Sequence, residues 1–138
     1  MAAFNKFQSF TKNVAEGKIN LASDQLKIAL TNVAPVATNA VLADLTEISY
    51  TNASTRNITT SSSTQSGGVY KLTVADLVVT ASGGSVGPFR YVAVYDDTPT
   101  SPAKPLIGWY DYGSSITLNA GETFTTDFDQ VNGLLTIT

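Results

Sequence analysis

The sequence predicts a mainly β protein, an antiparallel β-sandwich or small barrel of about seven or eight strands with an N-terminal helix and one further short helix. Apolar and polar residues alternate through most of the chain, as in strands that bury one face. Turn-forming residues interrupt these runs roughly every ten residues. The 138 residues show no break in composition, which predicts a single domain over residues 1–138, with a helical arm over 1–17 and the sandwich over 24–138.

Residues 88–95 are predicted to form the central strand of the sheet. Neither face of this run is strongly polar, so we expect both faces to be covered by other parts of the chain. Residues 106–112 form its antiparallel partner, because the three prolines between the two runs cannot donate to a ladder and indicate a loop. The predicted core residues are Phe89, Tyr91, Val94, Trp109 and Phe124.

Apolar residues at three- and four-residue spacing predict a helix over residues 4–16. Asn5 is a candidate N-cap, and Gly17 suits the left-handed residue that ends a helix. Two interpretations remain open: the helix covers the sheet of its own chain, or it is an arm that anchors on another subunit. The side chains that would serve either purpose are Phe4, Phe7 and Phe10.

The remaining elements follow from the same alternation and turn signals. Ala75 and Asp76 interrupt one alternating run, which predicts a bulge there. The predicted elements are strands at 25–31, 55–62, 69–81, 115–118, 122–128 and 134–138, a short helix at 40–48 with Asn39 as its cap, and a flexible tip at 64–68.

Composition excludes several classes of function. The chain has 8 basic and 11 acidic residues, a net charge of −3 and no basic cluster, so we expect no nucleic-acid binding. It has no cysteine and no histidine, which removes the usual catalytic triads and the common zinc sites. No apolar run approaches the roughly 20 residues that span a bilayer. We therefore expect no enzyme activity, no cofactor and no membrane partner.

Asp111 is the best candidate for carbohydrate chemistry, because it lies between Tyr110 and Tyr112 and close to Trp109. A glycoside hydrolase needs a second facing carboxylate, and the sequence does not single one out. Strand alternation places Asp111 on the same face as Trp109, where an internal partner such as Arg90 would satisfy it. A structural ion pair or hydrogen bond is therefore the favoured role.

The segment 127–133 places oxygen-bearing side chains at alternate positions before an Asn-Gly turn. Calcium prefers several such ligands in a flexible loop. The spacing departs from that of an EF-hand, whose final glutamate is also missing. A solvated turn is the favoured interpretation, and no metal site is assigned.

Several motifs occur together along nearly the whole chain. They are Phe4-Asn5-Lys6-Phe7, the runs at 26–32, 34–35 and 43–48, Gly87-Pro88-Phe89-Arg90-Tyr91, Gly108-Trp109-Tyr110-Asp111-Tyr112-Gly113 and Leu135-Thr136-Ile137-Thr138. In these motifs the chain resembles small virion proteins of tailed bacteriophages, of the capsid decoration (cement) type. The resemblance implies a homotrimer that binds the major capsid protein on the outside of the head shell, in a virion assembled in the host cytoplasm.

Two surfaces are the candidate contacts for this role. One is the face formed by the three N-terminal phenylalanines, and the other is the loop at 96–105. Prolines stiffen that loop, so less ordering entropy would be lost on binding. Two other functions stay open, a tail component of the tube or terminator type and a carbohydrate-binding domain using Trp109, Tyr110 and Asp111. The candidate loop residues are Pro99, Pro102 and Pro105.

Overall fold

The computed structural model describes residues 2–138, and its strands are all paired antiparallel. This confirms the predicted mainly β class, which fits a β-sandwich or small barrel. The elements are β1 (Asn5–Lys6), α1 (Gln8–Ala15), β2 (Leu26–Thr31), a 3-10 helix (Leu42–Asp44), β3 (Thr60–Ser66), β4 (Val69–Val74), β5 (Leu77–Thr80), β6 (Val86–Asp96), β7 (Leu106–Leu118), β8 (Thr123–Thr126) and β9 (Leu135–Ile137).

The strands form three sheets, in the orders β1-β7-β6-β2, β3-β4-β9 and β5-β8. Strand β6 is central in the first sheet, where Ala93 lies opposite Ala29 of β2 on one side and Trp109 of β7 on the other. The predicted central strand and its antiparallel partner are therefore confirmed.

Buried side chains cover both faces of this central strand. Val92 and Val94 belong to a large cluster that also includes Leu72 of β4. Ala93 and Tyr95 belong to a smaller cluster with Phe7, whereas Phe89, predicted on their face, belongs to the large cluster, since the register shifts between Phe89 and Tyr91. Successive side chains of a strand point to opposite faces, so the two clusters lie on opposite sides of the four-stranded sheet.

Strand β7 carries a bulge. The register between β6 and β7 shifts between Phe89 and Tyr91, and residues 112–115 of β7 are exposed. Gly113 in this bulge has φ of 99°, a left-handed conformation that glycine adopts readily. The predicted short strand at 115–118 is the end of β7, and beyond Trp109 no strand within residues 2–138 pairs with the outer edge of β7.

Helix α1 begins later than predicted, because the residues before it pair with β7 as strand β1. Asn5 does not cap the helix; its side-chain amide donates to the Trp109 carbonyl at 3.3 Å. The pairing depends on Gly108, where an added Cβ would lie 2.7 Å from the Asn5 carbonyl oxygen. The end of the helix agrees with the prediction, since Gly17 follows it with φ of 72°.

The predicted helix at 40–48 is only one 3-10 turn. Val41 forms an isolated bridge with Pro105, and the carboxylate of Asp44 accepts a hydrogen bond from the backbone N–H of Ala40 at 2.9 Å. Asn39 is therefore not the cap. These contacts hold the segment against the sheet, so the chain leaves helical geometry after one turn.

The segment before β3 also differs from its prediction. Residues 55–59 lie outside the regular strands, although Ile58 donates its N–H to the Leu26 carbonyl at 2.9 Å and so runs along β2. Residues 64–66, predicted as part of a flexible tip, belong to β3, which turns into β4 at Gly67 and Gly68.

The interruption at Ala75 and Asp76 is not a bulge. Strand β4 ends before these two residues, and β5 begins after them and pairs with β8 in a different sheet. The change of phase in the sequence therefore marks a change of sheet.

Candidate interaction surface

The N-terminal phenylalanines lie mostly inside the molecule. Phe7 and Phe10 are buried with 0% and 6% exposure, and Phe4 is half-buried with its ring centroid 4.9 Å from that of Tyr110. The prediction of Phe7 and Phe10 as contact residues is therefore wrong, because β1 and α1 press them into the core of their own chain. The covering interpretation agrees with this burial.

The proline loop between β6 and β7 is partly exposed. Pro99 and Pro102 are half-buried, whereas Pro105 is buried and bridges Val41, which corrects its prediction as a surface contact. The carboxylate of Asp97 lies 3.5 Å from the ammonium nitrogen of Lys27 and 3.7 Å from that of Lys104. These ion pairs join the loop to β2 and to its own far end.

A second loop, residues 32–41, lies directly beside the proline loop. Leu106 donates its N–H to the Ala40 carbonyl at 3.0 Å, and Leu42 donates to the Lys104 carbonyl at 2.9 Å. Val33 and Val36 on this loop are 56% and 55% exposed. The two loops therefore meet where residues 40–42 lie against residues 104–106, and we call residues 32–41 and 97–104 together the loop-end surface.

The sequence analysis predicted the prolines of this surface as contact residues but not its exposed valines. The valines stand in a run without strand or helix period, so nothing in the pattern separates exposed from buried apolar residues there. The backbone hydrogen bonds between the two loops also cannot be read from the sequence.

Nearby, a shallow cavity of about 300 Å³ is lined by Lys12 and Glu16 of the helix together with Pro102.

The predicted core residues differ in how deeply they lie. Phe89 and Val94 are fully buried, whereas Tyr91, Trp109 and Phe124 are half-buried. Phe89 packs edge-on against Phe124 with ring centroids 5.1 Å apart.

The residues proposed for a carbohydrate site do not converge. Trp109 packs on Phe7 with ring centroids 4.6 Å apart, and strand alternation turns Tyr110 to the other face of the sheet. Asp111 is paired with Arg90, whose Nε donates to Oδ1 at 2.8 Å. This arrangement confirms the ion pair that the sequence favoured for Asp111.

In the turn at 127–133, the carboxylate of Asp129 is satisfied by neighbouring residues of the turn. The Asp129 carboxylate accepts hydrogen bonds from the backbone N–H groups of Val131 and Asn132 at 2.9 and 2.8 Å. These bonds hold the pKa of Asp129 below its ordinary value. Within residues 2–138 no three acidic side chains are grouped as a metal site would require.

A buried carboxyl lies at the base of the proline loop, and sequence reasoning missed it. Asp96 is fully buried; Oδ1 accepts the Thr98 N–H at 3.1 Å, and Oδ2 has no hydrogen-bond partner. Burial, followed by the neighbouring Asp24 carboxyl and the charge of Asp97, raises the pKa of Asp96 to about 8. In the sequence, Asp96-Asp97 looks like ordinary loop polarity.

A polar cluster closes the outer edge of β2. The Tyr50 hydroxyl accepts the Leu30 N–H at 2.9 Å and donates to the Glu47 carboxylate at 2.7 Å. The Arg56 guanidinium lies 3.7 Å from the centre of the Tyr50 ring and donates to the Ile28 carbonyl at 2.9 Å. The edge of β2 is thus covered by the side chains of Glu47, Tyr50 and Arg56, of which the sequence analysis placed Glu47 in a helix, Arg56 in a strand and Tyr50 in neither.

Comparison with protein-family models, with curated proteins and with solved structures finds no match for this chain. Among the described residues, no helix has the length and apolar character needed to cross a membrane.

Proposed function

We propose that this protein is a structural virion protein of a tailed phage, a capsid decoration protein that binds the major capsid protein on the outer head shell as a homotrimer. The observation that supports this proposal most is the loop-end surface. It combines two exposed valines with two half-buried prolines, on loops that backbone hydrogen bonds hold against the sheet. Such a surface loses little conformational entropy when it binds.

The energetics suit contacts repeated over many copies. Full burial of a valine side chain contributes about 1.5–3 kcal/mol, so Val33 and Val36 would give each copy a modest affinity. Linking copies in an oligomer raises the overall avidity without any new kind of contact. Only 14% of the residues are charged, which limits repulsion between copies at high local density.

The proposal is tested by light scattering of the purified protein and by its co-sedimentation with expanded phage heads that lack a decoration protein. We expect a trimer that sediments with the heads. Replacing Val33 and Val36 together by Asp should abolish sedimentation with the heads, because a carboxylate buried at the contact is strongly unfavourable.

Val131→Asp is the matched control, since Val131 is 77% exposed in the turn between β8 and β9. Its sedimentation with the heads should equal that of the unchanged protein. A hexameric ring in solution would instead favour a tail tube or terminator protein. If the Val33/Val36 double variant bound the heads as well as the control does, the loop-end surface would not be the contact.

A further inference from the structure

A small cleft lies at the seam between β7 and β8, two strands that belong to different sheets. Its volume is about 170 Å³, and its aromatic lining residues are Tyr110, Tyr112 and Phe124. Pockets for drug-sized ligands begin at roughly 300 Å³, so this cleft has room for one small group. It lies apart from the loop-end surface in the chain and uses none of its residues.

Two of the aromatic rings form walls set at an angle. The rings of Tyr112 and Phe124 have centroids 5.5 Å apart and an interplanar angle of 70°. Tyr112 is 57% exposed, which is unusual for a large side chain next to a core aromatic. Rings at such an angle form a corner, whereas a sugar ring is best held against one open aromatic face.

The Asp127 carboxylate at the cleft has no ion-pair partner among residues 2–138. Asp127 lines the cleft, is exposed and makes no ion pair or side-chain hydrogen bond with any residue of 2–138. No lysine or arginine is among the lining residues. Burial and then the negative charge of Asp129 raise the pKa of Tyr110 to about 12, so a second acidic group acts on the same wall.

The cleft also holds an unsatisfied acceptor. Thr126 lines it, and its buried hydroxyl oxygen has no hydrogen-bond partner. Among residues 2–138 the cleft is therefore lined by ring faces and a carboxylate, with no lysine or arginine.

We propose that this cleft binds a small organic ammonium ion, placed in the corner formed by the rings of Tyr112 and Phe124 with its charge facing Asp127. Cations are attracted to the negative faces of aromatic rings, and aromatic corners of this kind recognise alkylated ammonium groups. Anionic ligands are disfavoured because Asp127 would repel them. A neutral ligand of the same shape would gain the apolar contacts but not the charge.

The test is a titration of the full chain with n-butylammonium chloride, monitored through the amide NMR signals of residues 124–127. The neutral analogue is n-butanol. We expect saturable shifts with a Kd on the order of 10 mM and at least about threefold weaker binding of n-butanol. Tyr112→Leu keeps the apolar bulk but removes the ring, and should weaken ammonium binding about threefold or more.

Asp127→Asn removes the charge and should weaken ammonium binding while leaving n-butanol unaffected. Glu16→Gln is the matched control, because it removes an exposed acidic charge on the helix and should change neither affinity. Both cleft variants alter exposed side chains, so thermal unfolding should show that they remain folded. Equal affinity for n-butanol, tighter binding of glucose, or equal effects of Asp127→Asn and Glu16→Gln would each overturn the proposal.

Discussion

Arg90 and Asp111 form a two-point ion pair between the neighbouring strands β6 and β7, with Nε to Oδ1 at 2.8 Å and Nη2 to Oδ2 at 3.1 Å. The Asp111 Oδ1 also accepts the Gly113 N–H at 2.8 Å, at the start of the β7 bulge. These bonds hold the pKa of Asp111 below its ordinary value. The residue that the sequence offered for sugar chemistry therefore serves to fix a strand pair.

The first prediction concerns this pair. Asp111→Asn should lower the free energy of unfolding only slightly, because both side chains are partly exposed and water screens the interaction. Urea denaturation measures the change, and Arg90→Gln should have a similar effect. In the double variant the loss of unfolding free energy should be smaller than the sum of the losses in the two single variants. Full additivity would show that the two side chains do not interact.

The second prediction concerns the pH dependence of stability and rests on Asp96. In the unfolded chain this carboxyl loses its proton near its ordinary pKa of 3.8, but in the folded chain it keeps the proton up to about pH 8. The contribution of Asp96 to the free energy of unfolding is therefore fully present below pH 4. This contribution is lost as the pH rises towards 8, by at most about 1.4 kcal/mol per pH unit. The charged groups around it are Asp24, Asp97 and, through Asp97, Lys27 and Lys104.

Thermal unfolding between pH 5 and pH 8 checks this prediction. The melting temperature of the unchanged protein should fall across this range, and Asp96→Asn should flatten the dependence because its amide cannot titrate. Glu16→Gln serves as the control and should keep the slope of the unchanged protein. An identical slope for Asp96→Asn would show that another group is responsible.

The third prediction concerns the edge of β2. Tyr50→Phe should lower the free energy of unfolding by about 1–3 kcal/mol, because the Leu30 N–H and the Glu47 carboxylate both lose a hydrogen-bond partner. Tyr112→Phe is the matched control, since the Tyr112 side chain is largely exposed and should change stability by less than about 0.5 kcal/mol. Equal effects of the two substitutions would contradict the role given to the Tyr50 hydroxyl.

The fourth prediction separates the two interpretations of the N-terminal segment. Phe7→Ala should destabilise the isolated chain by about 3–5 kcal/mol, because it leaves a cavity in the core. Val36→Ala, at an exposed position, should have little effect on unfolding. If Phe7→Ala left unfolding unchanged and reduced only assembly, the segment would be an anchor for another subunit.

The sequence predicts the elements whose pattern is set by burial within one strand. The alternation around Phe89 and Val94 identified the central strand, and the prolines after it identified the loop. The favoured pairing of Asp111 with Arg90 followed from the same alternation. For the strand and the loop, neighbouring residues along the chain carry the whole signal.

Features decided by distant backbone could not be predicted. Strand β1 has only two residues, and it forms because Gly108, about a hundred residues away, leaves room for Asn5. The isolated carboxyl of Asp96 and the hydroxyl of Tyr50 acquire their roles only when other segments cover them. Local periodicity contains no information on such long-range packing.

The bulge at residues 112–115 has a consequence for crowded assemblies. The outer edge of β7 carries open backbone groups beyond Trp109, and a flat open edge invites another molecule to add a strand and begin fibre growth. Because the bulge bends that edge and interrupts its regular spacing, a neighbour cannot continue the ladder along it. The bulge therefore disfavours strand addition by a second copy at this edge.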